Sequence, residues 1–163
     1  MPDADGAPPP KAPPATSSAR VQGLYQELLL AHYRRPRNRG TLEHPDAVGT
    51  VANPLCGDTI TIALYVDTDG RIRDARFSGQ GCSIAQASAS MLTEHAIGAM
   101  PDDLRRLRTR VDGLLAGEAD VVQDTTLGDL HALAGVAGFP ARFRCATLPW
   151  DALELALQQS RRG

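Results

Sequence analysis

The chain has 163 residues, a formal net charge of -2, 42% hydrophobic residues and only 4% aromatic ones. That length suits one domain with a real core, whose volume must come mostly from Leu, Val, Ile and Ala. The charge gives no electrostatic case for nucleic acid or an anionic membrane. No apolar run approaches the roughly 20 residues of a membrane span, and no secretory signal is visible.

Residues 1–19 are Pro, Ala, Asp and Ser with almost no large apolar side chain. Such a segment buries too little to offset its ordering entropy, so a disordered tail is expected, with the domain running from 20 to 163. Val21, Leu24, Leu28 and Ala31, widened by Tyr25 and Leu29, predict an amphipathic helix over 20–35 that Pro36 ends. A basic turn, Arg37-Asn38-Arg39-Gly40, follows. Residues 47–53 read as a short strand and 59–67 as a clearer one, with Ile60, Ile62, Leu64 and Val66 alternating with Thr61, Ala63 and Tyr65. Asp69-Gly70 makes a hairpin turn into a third strand over 71–78, of weaker alternation. An antiparallel meander follows.

Gly79-Gln80-Gly81 breaks the sheet. Residues 83–99 predict a helix burying Ile84, Ala87, Met91 and Ile97. Pro101-Asp102-Asp103 opens another, to about Leu115, with acids favourable to the dipole in its first turn. A loop is expected over 117–124, then a short helix over 126–137 with Thr126 as candidate cap. A last helix is expected from Cys145 to Arg161. The fold class is α+β: a three-stranded antiparallel sheet with helices on one face.

Three cysteines, Cys56, Cys82 and Cys145, are an odd number for a disulfide framework. A reducing, cytoplasmic setting is expected, where spared cysteines tend to be ligands or nucleophiles. The plain alternative is three small buried hydrophobes. Against it, each cysteine sits at a junction between elements, and Cys82 and Cys145 stand at predicted helix N-termini, which favour a thiolate. The spacing is Cys-x-Asp, 23 residues, Cys, 62 residues, Cys. It does not resemble a zinc-finger pair, yet three thiolates with Asp58 make a tetrahedral zinc set. Asp58 is alternatively a turn residue only. The set with Zn²⁺ carries a formal charge of about -2, so cations are needed nearby. Arg142 and Arg144 are the candidates, with solvated surface charge the alternative for each.

Asn53-Pro54-Leu55-Cys56-Gly57-Asp58, Gly79-Gln80-Gly81-Cys82-Ser83 through Met91, and Arg142-Phe143-Arg144-Cys145 through Trp150 resemble the three cysteine motifs of the IscU/NifU-N family. Tyr33 with Pro36-Arg37-Asn38 resembles its N-terminal helix and turn, and the match covers about residues 20–160. Scaffold members place a histidine directly before the third cysteine, where this chain has Arg144. Residues 100–124 resemble the insertion typical of the SufU branch. That resemblance implies zinc held by residues matching Cys56, Asp58, Cys82 and Cys145. It also implies sulfur transfer from a SufS-type cysteine desulfurase toward a SufB-SufC-SufD assembly complex. In that branch a desulfurase histidine takes a zinc position and frees the cysteine matching Cys56. The resemblance thus implies that Cys56 receives the sulfur, with Arg142 in a supporting role. Two rivals stand beside this: a scaffold assembling a transient [2Fe–2S] cluster, and a non-catalytic zinc adaptor that activates a desulfurase. His32, His44, His95 and His131 lie outside the motifs and are expected at the surface or core edge. Arg37 and Arg39 are read either as desulfurase contacts or as solvated charge.

Overall fold

The computed structural model describes residues 12–162. Its centre is a meander of β1 (Ala47–Asn53), β2 (Asp58–Val66) and β3 (Ile72–Gln80), all antiparallel in that order. The register pairs Asn53 with Asp58, Val48 with Ala63, and Thr59 with Gln80. One face of β2 buries Asp58, Ile60, Ile62 and Leu64, the expected alternation extended back by one acidic residue. The weak alternation of β3 has a cause. Tyr65 pairs with Asp74 but Val66 with Ile72, so Arg73 bulges out. The bulge resets the period, and Ile72, Ala75 and Phe77 all reach the core. On the opposite face Thr50 and Thr61 share a hydroxyl hydrogen bond of 2.8 Å, and Arg73 lies over the Tyr65 ring.

Helices cover the inner face. α5 (Phe143–Arg162) lies across β1 and β2, and α2 (Ser83–Ala96) lies against β3. The approach of α5 depends on Gly49, where a Cβ would sit 2.0 Å from the Ala152 carbonyl oxygen and 2.7 Å from the Ala156 nitrogen. α2 is buried at every position from Ala85 to Thr93, which explains its small side chains. It ends at Ala96, short of the expected 99. Gly98 takes φ +90°, and the Gly98 N–H and Ala99 carbonyl bond to Ile72, drawing this segment onto the end of β3. Ile97 is therefore 39% exposed and outside the core.

α1 (Ala12–Arg34) starts eight residues earlier than expected. The residues it adds include Ala12, Ala15 and Ala19, good helix formers, and Pro13 and Pro14 fall in the first turn, where no N–H is needed. Residues 1–11 of the expected tail lie outside the described residues, and the boundary at residue 20 stays an expectation. Only one side of the predicted apolar stripe faces the core. Val21 and Leu24 are 40% and 55% exposed, while Tyr25, Leu29 and His32 pack inward. The anchor is polar. His32 is 3% exposed, with Nδ1 2.8 Å from Ser90 Oγ and Nε2 2.8 Å from Asp129 Oδ2.

α3 (Pro101–Ala116) is amphipathic as expected. The expected loop at 117–124 holds a one-turn helix, α4 (Ala119–Val122), anchored by buried Val121 against Gly113. Thr125–Val136 is a 3-10 helix broken at Gly128, where φ is 58° and ψ is -138°. Its cap is Asp124 rather than Thr126: Asp124 Oδ1 accepts from the Thr126 N–H at 2.9 Å and from its hydroxyl. Those bonds, then Arg110, hold the Asp124 carboxyl down at about 2. A 3-10 turn, Pro140–Arg142, leads into α5, which starts two residues before Cys145. Pro149 lies inside α5 and has no N–H to give the Cys145 carbonyl. The start of α5 is tied to α2 instead: Ser88 Oγ donates to the Ala146 carbonyl at 2.6 Å and accepts from Trp150 Nε1 at 3.2 Å.

Candidate metal centre

Three separate junctions meet at one end of the sheet. Cys56 is at the tip of the β1–β2 hairpin. The Asn53 side chain accepts from the Leu55 N–H at 3.1 Å, the Asn53 carbonyl accepts from the Gly57 N–H at 2.8 Å, and Gly57 turns at φ +75°. That turn needs a residue free to take positive φ. It leaves Cys56 exposed and returns the chain so that Asp58 is only 7% exposed. Cys82 is the N-cap residue of α2 and is half-buried; Cys145 lies in the first turn of α5 and is 6% exposed.

Cys56 Sγ, an Asp58 carboxylate oxygen and Cys145 Sγ lie within 4.8 Å of one another. Cys82 does not complete that triangle but touches two of its members. Its backbone N–H donates to Asp58 Oδ2 at 3.3 Å, and its thiol pushes that of Cys145 up. Three of the four sequence-predicted ligands therefore converge, with Cys82 beside them through its backbone N–H. Gly81 is a member of the site that the motif contained but its spacing did not explain. A Cβ there would meet Asp58 Cγ and Oδ2 at 3.3 Å and the Ala85 Cβ at 3.0 Å, so the bare backbone makes room for the carboxylate.

The electrostatics of this corner are one-sided. Burial pushes the Cys145 thiol up to about 12, reinforced by the hydrogen bond and charge of Cys82 and by the charges of Asp58 and Cys56. No arginine acts on it. Arg142 is exposed on the turn before α5 and makes no ion pair among the described residues. Arg144 reaches along α5 to Asp151 at 3.8 Å, and Arg108 of α3 holds the other oxygen of Asp151 at 2.9 Å. The two expected compensating cations are thus not inside the site. Three sulfurs and a carboxylate crowded together without a counter-charge form a donor set for a borderline-soft divalent cation. Zinc fits it on donor type, number and charge.

A second convergent group behaves differently. His32, Glu94 and Asp129 also bring ligand atoms within 4.8 Å of one another. Here Arg37 supplies the cation, 2.8 Å from Glu94 and 3.9 Å from Asp129, and its N–H donates to Ser90 Oγ at 2.8 Å. With Ser90 donating to His32 Nδ1 and His32 Nε2–H donating to Asp129, every group has a partner. Arg37 is therefore a structural ion pair. Arg39 is also tied to its own chain: its guanidinium bonds to the Gln86 side chain and, at 3.1 Å, to the Gly79 carbonyl. His131 bonds to Tyr25 at 3.0 Å and to the Val122 carbonyl. His32 is core rather than core edge, and no histidine enters the sulfur corner.

A three-stranded meander whose helix-covered face ends in a cluster of cysteines and one aspartate defines a class of small metal- or sulfur-handling proteins. The NifU-like N terminal domain model matches residues 24–146, and the chain belongs to that family. It is 38% identical over 146 residues to the zinc-dependent sulfurtransferase SufU of Bacillus subtilis, covering 90% of this chain and 97% of that one. It is 37% identical over 142 residues to the iron–sulfur cluster assembly scaffold protein IscU of Streptococcus pyogenes, covering 87% of each. The crystal structure of a nitrogen-fixing NifU-like protein (N-terminal) from Brucella abortus superposes with a TM-score of 0.77 at 28% identity, over 87% of this chain and 97% of that one. Among the described residues no helix is long and apolar enough to cross a membrane.

Proposed function

We propose that the protein is a zinc-dependent persulfide transferase of iron–sulfur cluster assembly, working in the cytoplasm between a SufS-type cysteine desulfurase and a SufB-SufC-SufD type complex. The observation that carries this reading is the unequal exposure of the cysteines. Cys56 is at an exposed hairpin tip, while Cys145 is buried and Cys82 half-buried. Of the three, Cys56 is the most open to a sulfur carried on another protein.

Asp58, Cys82 and Cys145, with Cys56, would hold the zinc. Bound zinc supplies positive charge that keeps thiols ionised near neutral pH. The Cys56 thiolate attacks the outer sulfur of the donor persulfide. A new S–S bond forms on Cys56, the donor's S–S bond breaks, and the donor cysteine leaves as a thiolate. The Asp58 carboxylate accepts a hydrogen bond from the Cys82 N–H at the start of α2, beside the reacting sulfur. Arg142, three residues before Cys145 and exposed, is assigned to steadying the thiolate charge of the site. Leu55, 93% exposed beside Cys56, and Phe139, 62% exposed, provide apolar contact for the donor protein.

The second reading is a scaffold, favoured by the 37% identity to a relative named as one. Metal analysis of protein purified without oxygen separates the two: stoichiometric zinc supports transfer, and an iron–sulfur chromophore supports the scaffold. The transfer reading is tested by desulfurase stimulation. Cys56→Ala abolishes it under transfer, whereas a zinc adaptor retains it, with zinc content measured on the same sample.

A further inference from the structure

The three cysteines of the metal corner are not equivalent in position. Cys56 Sγ and Cys145 Sγ lie within 4.8 Å of each other, in a triangle with Asp58 that Cys82 does not complete. Their settings are opposite. Cys56 is exposed on the β1–β2 turn, and the space around its neighbour Gly57 is open, since a Cβ there would meet nothing within 4 Å. Cys145 is 6% exposed in the first turn of α5, which Ser88 ties to α2 through the Ala146 carbonyl. One sulfur is on a turn with room to shift, and the other is held in the packed body of the protein. A disulfide needs its sulfurs about 2 Å apart, so the pair stops short of bonding by a movement that falls to the turn. A small oxidant in water meets Cys56 first, because attack on sulfur follows exposure.

From this we infer that hydrogen peroxide converts Cys56 and Cys145 into an intramolecular disulfide, and that this bond closes the site reversibly, with loss of the metal. The inference goes beyond the transfer reading and needs only the cysteine pair. The Cys56 sulfur attacks one peroxide oxygen. An S–O bond forms, the O–O bond breaks, and the departing hydroxide takes a proton to become water. The Cys145 sulfur then attacks the sulfenic sulfur of Cys56. An S–S bond forms, the S–O bond breaks, and the proton of Cys145 leaves with the hydroxide as a second water. Overall, two thiols and one hydrogen peroxide give one disulfide and two waters, the sulfurs being oxidised and the peroxide reduced. A disulfide sulfur carries no charge, so the proposed zinc set keeps only Asp58 and Cys82. The sulfur that would accept a persulfide is blocked by the same bond. It is also kept from the irreversible sulfinic and sulfonic stages. Asp58, 7% exposed and bonded to the Cys82 N–H, stays in place to take metal again after reduction.

The test uses full-length protein, reduced and with its zinc content measured. It is treated with an equimolar amount of hydrogen peroxide, its free thiols are alkylated, and it is digested without reduction for mass spectrometry. The expected result is one cross-linked peptide pair holding Cys56 and Cys145, with Cys82 alkylated. Zinc should pass to a chromogenic chelator in step with that bond, and dithiothreitol should restore both the thiols and zinc binding. A disulfide through Cys82, a disulfide between two chains, or oxygen on Cys56 without a disulfide overturns the inference. Zinc that stays bound while the disulfide forms overturns the loss of metal. Dimedone, which traps sulfenic acid, gives a second readout: Cys145→Ser is expected to raise labelling of Cys56 severalfold, and unchanged labelling contradicts the pairing. The map of the unsubstituted protein decides the pairing even where that variant folds poorly. Protein that holds no zinc before treatment overturns the zinc reading instead, and the same map still decides whether Cys56 pairs with Cys145.

Discussion

The two clusters of ligand-type side chains differ in one respect that decides their chemistry. In the cluster of His32, Glu94 and Asp129 the chain provides its own cation, Arg37, and its own hydroxyl, Ser90. In the cluster of Cys56, Asp58, Cys82 and Cys145 it provides neither, and Cys145 is pushed up to about 12 mainly by its burial. The first is a closed network that docks α1 onto the body of the protein. The second, under the proposed reading, is completed by a metal cation. Similar proximity of ligand atoms thus comes with a cation from the chain, Arg37, in one place and without one in the other.

The largest test of that contrast is removal of metal. Stripping zinc with a chelator is expected to lower the melting temperature and to destabilise by about 4 kcal/mol where free zinc had been a thousandfold above its Kd. Asp58→Ala is expected to lose zinc by elemental analysis and to reproduce that shift. His32→Leu, in the closed network, strands Ser90 and Asp129 and is expected to cost about 3 kcal/mol in chemical denaturation. Its zinc content should stay that of the unsubstituted protein; loss of zinc there would mean that the two clusters are not separate.

Gly81→Ala probes the open cluster more gently. The added methyl presses on Asp58 and Ala85, so zinc affinity is expected to fall about tenfold in a competition titration, with the fold retained. The smallest effect is expected at Asp124, outside both clusters. Its carboxyl is lowered from 3.8 to about 2, so its contribution to stability is present above pH 3.8 and is lost as pH falls through 2. Asp124→Asn should therefore flatten that limb of the acid-unfolding curve and leave stability at pH 7 only slightly reduced.

The sheet was legible because alternation in β2 runs unbroken from Ile60 to Leu64 with small, β-favouring residues between. Asp58 is in phase with those buried positions, so its burial could have been read from the same period. The face of α1 was not legible. Val21, Leu24, Leu28 and Ala31 make the better apolar stripe, yet the helix is turned by a histidine whose partners lie 58 and 97 residues away. Nor was the Arg73 bulge, which depends on pairing with Tyr65 and Val66. At the site, residue types and the family motifs pointed to Cys56, Asp58 and Cys145, whose ligand atoms lie together, and to Cys82 beside them. The contact of Gly81 with Asp58 and the tethering of Arg144 to Asp151 arise only when β2, α2 and α5 are packed together. Arg142 and Arg144 looked equivalent as neighbours of Cys145, but one lines a cleft and the other is held by an ion pair.

The measurement closest to the central claim is the position of transferred sulfur. Zinc-loaded protein is incubated with a SufS-type desulfurase and cysteine, then digested and mapped by mass spectrometry with alkylation of free thiols. The exposed hairpin tip predicts one added sulfur on Cys56. Added sulfur on buried Cys145 and none on Cys56 would contradict it.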